Sequence, residues 1–178
     1  MANQSAIVVP IPDVEPIVGQ LRWQYDKAAR LGVPAHITLL YPFLTPQAAE
    51  DATGALKKLC DSLTAFPFSF AEVRRFPATA YLYPDPSERF AQMTEALVKM
   101  WPDCKPYGGA FSDLIPHLTV ADQVDAETLN TVEESLRDHL PIQCVAREIW
   151  LMVSDAAGFW TKKASFSLSL ASGKDENT

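Results

Sequence analysis

The chain has 178 residues, of which 48% are hydrophobic and 21% are charged, and its formal net charge is −7. A chain of this length can bury enough apolar surface to fold without a disulfide framework or a structural metal. The acidic balance argues against a protein that wraps long nucleic acid, because such proteins carry a basic face.

The first half alternates apolar strand patterns with amphipathic helix patterns. Asp13 is expected to cap the first helix, and Gly32 is expected to end it. Thr45 is expected to cap the second, since Pro46 then occupies the first helical position. The predicted elements are strands over 6–11, 34–42, 66–76 and 79–83, with helices over 14–31 and 46–63.

The second half repeats the order of a strand, a helix and a strand pair. A helix beginning at Pro86-Ser87 leads through a long loop, residues 102–116, to the strand around residue 117. Asp125 is expected to cap the following helix. Two last strands are predicted over 142–153 and 160–170, the second with one wet face. We therefore expect one bilobal domain over residues 1–172 and a disordered tail over 173–178.

One pattern, His-x-Thr, occurs in both halves. His36 and Thr38 lie in one predicted strand, and His117 and Thr119 lie in another, 117 − 36 = 81 residues later. Alternate side chains of a strand share a face, so each histidine should project with its threonine while the residue between them enters the core.

Two imidazoles and two hydroxyls that share a cleft suit acid–base work on a phosphodiester. One neutral histidine can take a proton from a nucleophile, and a protonated histidine can donate a proton to the leaving oxygen. The threonine hydroxyls can hold the non-bridging oxygens. Against this, a single strand histidine is more often structural, but two copies in matching contexts favour a paired site. The scheme uses no metal or cofactor, and we predict neither.

The remaining histidine and the cysteines carry no such pattern. His139 ends a helix without a threonine partner, which indicates a structural or exposed residue. The chain has an odd number of cysteines, which are widely spaced and form no CxxC pair: Cys60, Cys104 and Cys144. This favours a reduced, cytoplasmic setting and disfavours zinc. We expect no signal peptide and no membrane-spanning segment.

Some aromatic and cationic residues are weaker candidates. Tyr41 lies an odd number of residues after His36, so in a regular strand its side chain should face away from the site. Core packing is favoured over base stacking for each aromatic candidate, namely Phe76, Tyr81, Tyr83, Tyr107, Phe111 and Trp160. Solvated positions are favoured over phosphate contacts for the cations Arg74, Arg75, Lys162 and Lys163.

At His36-Ile37-Thr38-Leu39 and His117-Leu118-Thr119-Val120 the chain resembles the two-histidine phosphoesterase superfamily, in particular its 2′-5′ RNA ligase-like and cyclic phosphodiesterase branch. The resemblance implies an α+β fold with pseudo-two-fold duplicated lobes, antiparallel sheets lining a central cleft, and helices outside. It further implies His36 and His117 as catalytic residues and Thr38 and Thr119 as phosphate-binding residues.

The function predicted on these grounds is that of a metal-independent phosphoesterase acting on 2′,3′-cyclic phosphates or 2′-5′ phosphodiester linkages. The expected partner is a small cyclic phosphate, a nucleotide or an RNA end, and the expected state is a monomer. One alternative is a non-catalytic module that binds a nucleotide or an RNA end. Another is a structural domain in which both motifs only pack.

Overall fold

Eight strands form two four-stranded antiparallel sheets in the computed structural model, which describes residues 3–110 and 114–170. The strands are β1 (Ser5–Pro10), β2 (His36–Leu40), β3 (Phe66–Phe76), β4 (Thr79–Asp85), β5 (Leu118–Asp122), β6 (Ile142–Ala146), β7 (Glu148–Ser154) and β8 (Trp160–Ser167). The α-helices are α1 (Glu15–Tyr25), α2 (Lys27–Arg30), α3 (Pro46–Asp51), α4 (Thr53–Asp61), α5 (Glu88–Met100) and α6 (Ala126–Arg137).

The two motif-bearing strands occupy equivalent places. The first sheet has the order β2-β1-β7-β8, and the second has the order β5-β4-β3-β6, so β2 and β5 are each the edge strand of their sheet. These two edges contact one another, while α1 packs on β5 and α5 packs on β2. The predicted α+β fold with duplicated lobes is confirmed, and the contact between the two edges brings the motifs together.

One hydrophobic core serves both sheets. It includes Ile37 from the first sheet, Leu118 and Phe70 from the second, and Phe90 from α5, all at most 1% exposed. Burying a large apolar side chain completely contributes roughly 1.5–3 kcal/mol. The motif strands are thus held by packing on the side of the sheet away from the histidines.

The first predicted helix differs from the structure at its start and in its middle, whereas Gly32, with a φ of +92°, follows its last turn as predicted. Asp13 caps no helix, because it lies in a 3₁₀ turn (Pro12–Val14), and its carboxylate accepts from the Val145 amide at 3.1 Å and from Arg147 at 3.0 Å. Asp26 has an extended backbone that interrupts the helix, and its side chain caps α2 through the Ala28 amide.

Two other predicted elements are divided. The helix predicted over 46–63 is broken at Ala52 into α3 and α4. The strand predicted over 142–153 is broken at Arg147, where the chain leaves one sheet for the other: β6 pairs with β3, and β7 pairs with β1. Both pieces are apolar, so the sequence pattern alone does not mark the division.

The capping predictions at Thr45 and Asp125 are confirmed, since each side chain accepts a hydrogen bond from an amide in the first turn of its helix. Cys60, Cys104 and Cys144 are all buried and form no disulfide. Within the described ranges, no helix has the length and apolar character needed to cross a membrane. The predictions for Phe111 and for residues 173–178 lie outside the described residues.

Candidate active site

The site is built on matching faces of β2 and β5. His36 and Thr38 are partly buried, while Ile37 between them is 0% exposed. His117 and Thr119 are likewise partly buried, with Leu118 between them at 1%. The alternation predicted for both motifs is therefore observed, and each histidine shares a face with its threonine.

Each motif strand has an irregularity in the same place, one residue after the threonine. Across β1, Thr38 lies opposite Val8 and Leu40 lies opposite the preceding residue, so Leu39 is an extra residue. Across β4, Val120 is the extra residue in the same way. A bulge of this kind turns every later side chain of the strand to the face opposite to the one that strict alternation predicts.

The bulge in β2 overturns the prediction for Tyr41. Leu39 and Leu40 are both buried in the core, at 2% and 0%, and the next side chain returns to the motif face. Tyr41 accordingly lines a recess together with His36 and Thr38. The prediction was wrong because it assumed strict alternation through a bulged strand.

Both histidines are held in the same way by the backbone that precedes them. The Nδ1 of His36 lies 2.8 Å from the carbonyl oxygen of Pro34, and the Nδ1 of His117 lies 2.7 Å from that of Ile115. A carbonyl only accepts, so Nδ1 carries the proton in each neutral ring and Nε2 is left as the basic nitrogen. The Thr38 hydroxyl lies 3.1 Å from the Nε2 of His36 and can donate to it.

Tyr107 connects the two motifs. Its hydroxyl hydrogen-bonds with the Thr38 side chain, and its ring lies nearly parallel to that of His117, at 22° with 6.4 Å between centroids. Its backbone amide also donates to the Tyr41 carbonyl at 2.5 Å. One side chain thus touches both motifs, which places His36, Thr38 and His117 around a common site. The prediction of core packing for Tyr107 does not account for this bridge, of which the sequence carries no sign.

Aromatic rings also fix the orientation of His117. Phe76 and Tyr81 each approach the imidazole edge-on, with centroids 5.4 Å away, and they stack on each other at 4.4 Å. Tyr81 pairs across the strands with Thr119, so the Thr119 side chain lies on this same face. The second motif is therefore surrounded by rings that limit the movement of its histidine.

A buried arginine supports the backbone of both motif regions, and the sequence analysis did not identify it. Arg22 is 2% exposed and pairs with Asp26 at 2.8 Å. It also donates to the backbone carbonyls of Thr119 and Val33, each at 3.2 Å. Arg22 thus connects α1 to the second motif strand and to the segment that precedes the first. The only sequence signal was the i,i+4 spacing of Arg22 and Asp26.

The two imidazoles have different electrostatic surroundings. The pKa of His36 is lowered from 6.5 to about 4, mostly by burial, then by the Arg22 cation and least by His117, while the bond to the Pro34 carbonyl opposes these effects. Burial also lowers the pKa of His117, but the Ile115 carbonyl and then the Asp122 carboxylate oppose that change. Arg22 therefore disfavours a proton on His36, whereas Asp122 favours one on His117.

The remaining candidates stand as follows. The cations predicted as solvated are mostly paired with carboxylates: Arg74 with Glu72, Arg75 with Glu133 and Lys163 with Glu50. Lys162 instead lies over the Trp150 ring, 4.3 Å from its centroid. His139 is exposed, just beyond the end of α6. Over residues 3–110 and 114–170, no three His, Cys, Asp or Glu side chains are grouped so that they could hold a metal ion.

A comparison with protein families identifies the fold and its doubled motif. The family model described as the 2′-5′ RNA ligase superfamily matches residues 9–158, which include both motifs. The chain belongs to this superfamily. The resemblance to two-histidine phosphoesterases seen in the motifs is thereby confirmed.

Solved structures show how far the similarity to other proteins of this fold extends. Escherichia coli LigT complexed with NADP⁺ matches with a TM-score of 0.62 and 16% identity, covering 94% of this chain and 98% of that one. LigT complexed with 3′-AMP matches with a TM-score of 0.61 and 15% identity, covering 94% and 99%. The protein TT0787 of Thermus thermophilus matches with a TM-score of 0.61 and 16% identity, covering 93% and 97%.

At these identities the solved structures establish a shared fold and no more. No curated protein matches the chain in sequence.

Proposed function

We propose that this protein is a phosphoesterase that opens 2′,3′-cyclic phosphates or cleaves 2′-5′ phosphodiester linkages by paired-histidine acid–base catalysis. The observation that carries the proposal is the matched pair of imidazoles. Each is anchored through Nδ1 to a backbone carbonyl, each keeps Nε2 for proton transfer, and Tyr107 connects the two. General acid and base groups of this type contribute about 10²- to 10⁴-fold to a rate.

We assign the base to His36 and the acid to His117. With its pKa lowered to about 4, His36 is neutral at pH 7, and its Nε2 takes a proton from the attacking water. The oxygen of that water bonds to phosphorus as the bond to one ribose oxygen breaks. The Nε2 of His117, whose proton Asp122 favours, donates it to the departing oxygen. The product is a ribose phosphomonoester with a free neighbouring hydroxyl, and solvent returns both rings to their starting states.

The threonines hold the phosphate in this scheme. Thr38 and Thr119 each share a strand face with a histidine, so each hydroxyl can donate to a non-bridging oxygen between the two rings. The Thr38 hydroxyl then exchanges its contact with the Nε2 of His36 for one with phosphate. Donors placed in advance where negative charge develops stabilise a transition state without reorganising.

Turnover of 2′,3′-cyclic nucleotides by purified protein tests the proposal. His36→Ala and His117→Ala should each reduce kcat by about 10²- to 10⁴-fold. The control is His139→Ala, which changes an exposed histidine beyond the end of α6 and should match the kcat of wild type. Equal rates in all four proteins would remove both histidines from catalysis. Tight binding of nucleotides without turnover by the wild type would instead favour the non-catalytic binding module.

The pH dependence of kcat/KM tests the two roles separately. In Asp122→Asn the pKa of His117 should fall, so the alkaline limb of the profile should move to lower pH while the acid limb stays in place. A change confined to the acid limb would reverse the assignment of acid and base. Thr79, which donates to Asp122 at 2.7 Å, offers a matched control as Thr79→Val, since it alters the strand but keeps the carboxylate.

A further inference from the structure

The hydroxyl of Thr38 lies within reach of two other polar groups. The Nε2 of His36 is 3.1 Å from it, and the Tyr107 hydroxyl also hydrogen-bonds with it. These neighbours line different spaces: Thr38 shares a cavity of about 240 Å³ with His36 and another of about 310 Å³ with Tyr107. Because Thr38 borders open space in both directions, its hydroxyl hydrogen has room to turn.

The tautomer of His36 fixes the direction of both hydrogen bonds. Its Nδ1 donates to the Pro34 carbonyl, so its Nε2 accepts from the Thr38 hydroxyl. A hydroxyl has a single hydrogen, so the Thr38 oxygen must accept from the Tyr107 hydroxyl. Burial raises the pKa of Tyr107, which therefore keeps its proton at neutral pH. The resting protein thus contains a directed chain of hydrogen bonds from Tyr107 through Thr38 to His36.

The second motif is arranged differently. His117 donates through Nδ1 to the Ile115 carbonyl, and the described residues offer its Nε2 no hydrogen-bond partner. Tyr107 meets this histidine with its ring, which lies at 22° to the imidazole. The Tyr107 hydroxyl therefore acts on the motif that we assign to the base, and the ring packs on the motif that we assign to the acid.

The backbone at Tyr107 is shaped for this position. Its φ of +51° lies in the left-handed region, which a bulky side chain rarely adopts. Such a conformation persists only where the surroundings hold it. Here the Tyr107 amide donates to the Tyr41 carbonyl at 2.5 Å, and Gly108, with a φ of +64°, continues the turn. Tyr107 is thus attached to the segment of the first motif by both its amide and its hydroxyl.

We propose that Tyr107 is a positioning residue, which holds the Thr38 oxygen in place while the Thr38 hydroxyl turns from the Nε2 of His36 to the bound phosphate. The inference rests on the proposed function and goes beyond it, because it explains how the base is released. The turn is a rotation about the Cβ–Oγ1 bond, so no covalent bond changes. The Nε2 of His36 becomes free to accept a proton from water when the phosphate takes the Thr38 hydrogen bond. Tyr107 also polarises the Thr38 hydroxyl, since hydrogen bonds in a chain strengthen one another.

A double-mutant cycle measured with adenosine 2′,3′-cyclic phosphate tests the inference. Tyr107→Phe keeps the ring against His117 and removes the hydroxyl, and it should lower kcat/KM by about 10-fold, the value of one hydrogen bond. In the Thr38→Val protein, which has no hydroxyl at position 38 to hold, the same change should have no effect. Tyr25→Phe is the matched control. Tyr25 ends α1 and packs against the hydrophobic core, so its variant should keep the wild-type kcat/KM.

A spectroscopic measurement follows the same chain without turnover. His36 is neutral at pH 7, and the ¹⁵N NMR signal of its Nε2 reports the hydrogen bond that this nitrogen accepts. Thr38→Val removes that bond and gives the reference signal. In Tyr107→Phe the signal should move from its wild-type position towards this reference, and Tyr107→Phe/Thr38→Val should match Thr38→Val. If Tyr107 served only for packing, Tyr107→Phe would keep the wild-type signal.

The outcomes separate this inference from the proposed function. In an active wild type, an unchanged kcat/KM in Tyr107→Phe, or an equal loss in the Thr38→Val protein, overturns the role of Tyr107 and leaves paired-histidine catalysis intact. If the wild type turns over no cyclic nucleotide, the proposed function fails, and the NMR comparison decides whether Tyr107 holds Thr38. Identical His36 signals in Tyr107→Phe and wild type would then overturn it. Far-UV circular dichroism and the Tm establish that each variant is folded.

Discussion

Replacing His36 with glutamine should remove the part of the pH dependence of the unfolding free energy that comes from this histidine. The unfolded chain takes up a proton on this histidine near pH 6.5, whereas in the folded protein burial and the Arg22 cation delay that uptake to about pH 4. Between these values the unfolded state binds more protons than the folded state. Folding is therefore favoured at neutral pH, and this advantage is lost as pH falls from 6.5 towards 4.

The size of the effect follows from the same two values. The full difference between 6.5 and about 4 corresponds to about 3 kcal/mol. Integrated between pH 7 and pH 4.5, it amounts to about 2 kcal/mol of unfolding free energy in the wild type. Glutamine does not titrate, so the stability of the variant should lack the component that comes from position 36.

Urea denaturation at a series of pH values from 7 to 4.5 measures the effect. The quantity to compare is the stability difference between wild type and His36→Gln, because every carboxylate that also titrates in this range contributes equally to both proteins. This difference should change by about 2 kcal/mol in favour of the variant as pH falls. His139→Gln, which removes an exposed histidine, is the control. A His36→Gln difference that stays constant with pH would refute a folded-state pKa near 4.

Three further predictions concern the supports of the site. Arg22→Met should cost about 3–5 kcal/mol by stranding the buried Asp26 carboxylate, and Arg22→Met/Asp26→Asn should cost less than the sum of the single changes; additive costs in urea denaturation would show that the pair is uncoupled. Gly32→Ala should lower stability by about 1–3 kcal/mol, because its φ is positive and its Cβ would meet the Trp160 carbonyl; a Tm equal to wild type would contradict that contact. Thr38→Val should reduce kcat by about 10²- to 10³-fold while Thr38→Ser retains most activity, and equal rates for both on a cyclic nucleotide would exclude a hydroxyl contact with phosphate.

The sequence was informative for several local patterns, although not for the cap predicted at Asp13. The caps at Thr45 and Asp125 depend on one side chain and the next turn of backbone, and both predictions are confirmed. The facing of His36 with Thr38 depends only on strand alternation, which the chain carries in its own residues. A repeated tripeptide in similar apolar surroundings likewise indicates two equivalent strands, whatever their arrangement in space.

Features that depend on a partner strand were not accessible in this way. The bulge at Leu39 returned Tyr41 to the site, although nothing in that segment marks a bulge. The division at Arg147 sends two similar apolar stretches to different sheets. Both features are set by which strand lies opposite, and a single sequence does not specify its neighbours.

By itself the sequence determined the chemistry available to this protein: two imidazoles and two hydroxyls on strands, because residue type and alternation are local properties. Only the tertiary structure decided how they differ. The Arg22 cation acts on His36, Asp122 acts on His117, Tyr107 spans both motifs, and one wall of the cleft has a recess where the other has the Tyr81 ring. Apart from Asp122, which lies five residues after His117 along the same strand, these residues come from different elements of the chain, and long-range packing rather than local propensity brings them within reach of one another.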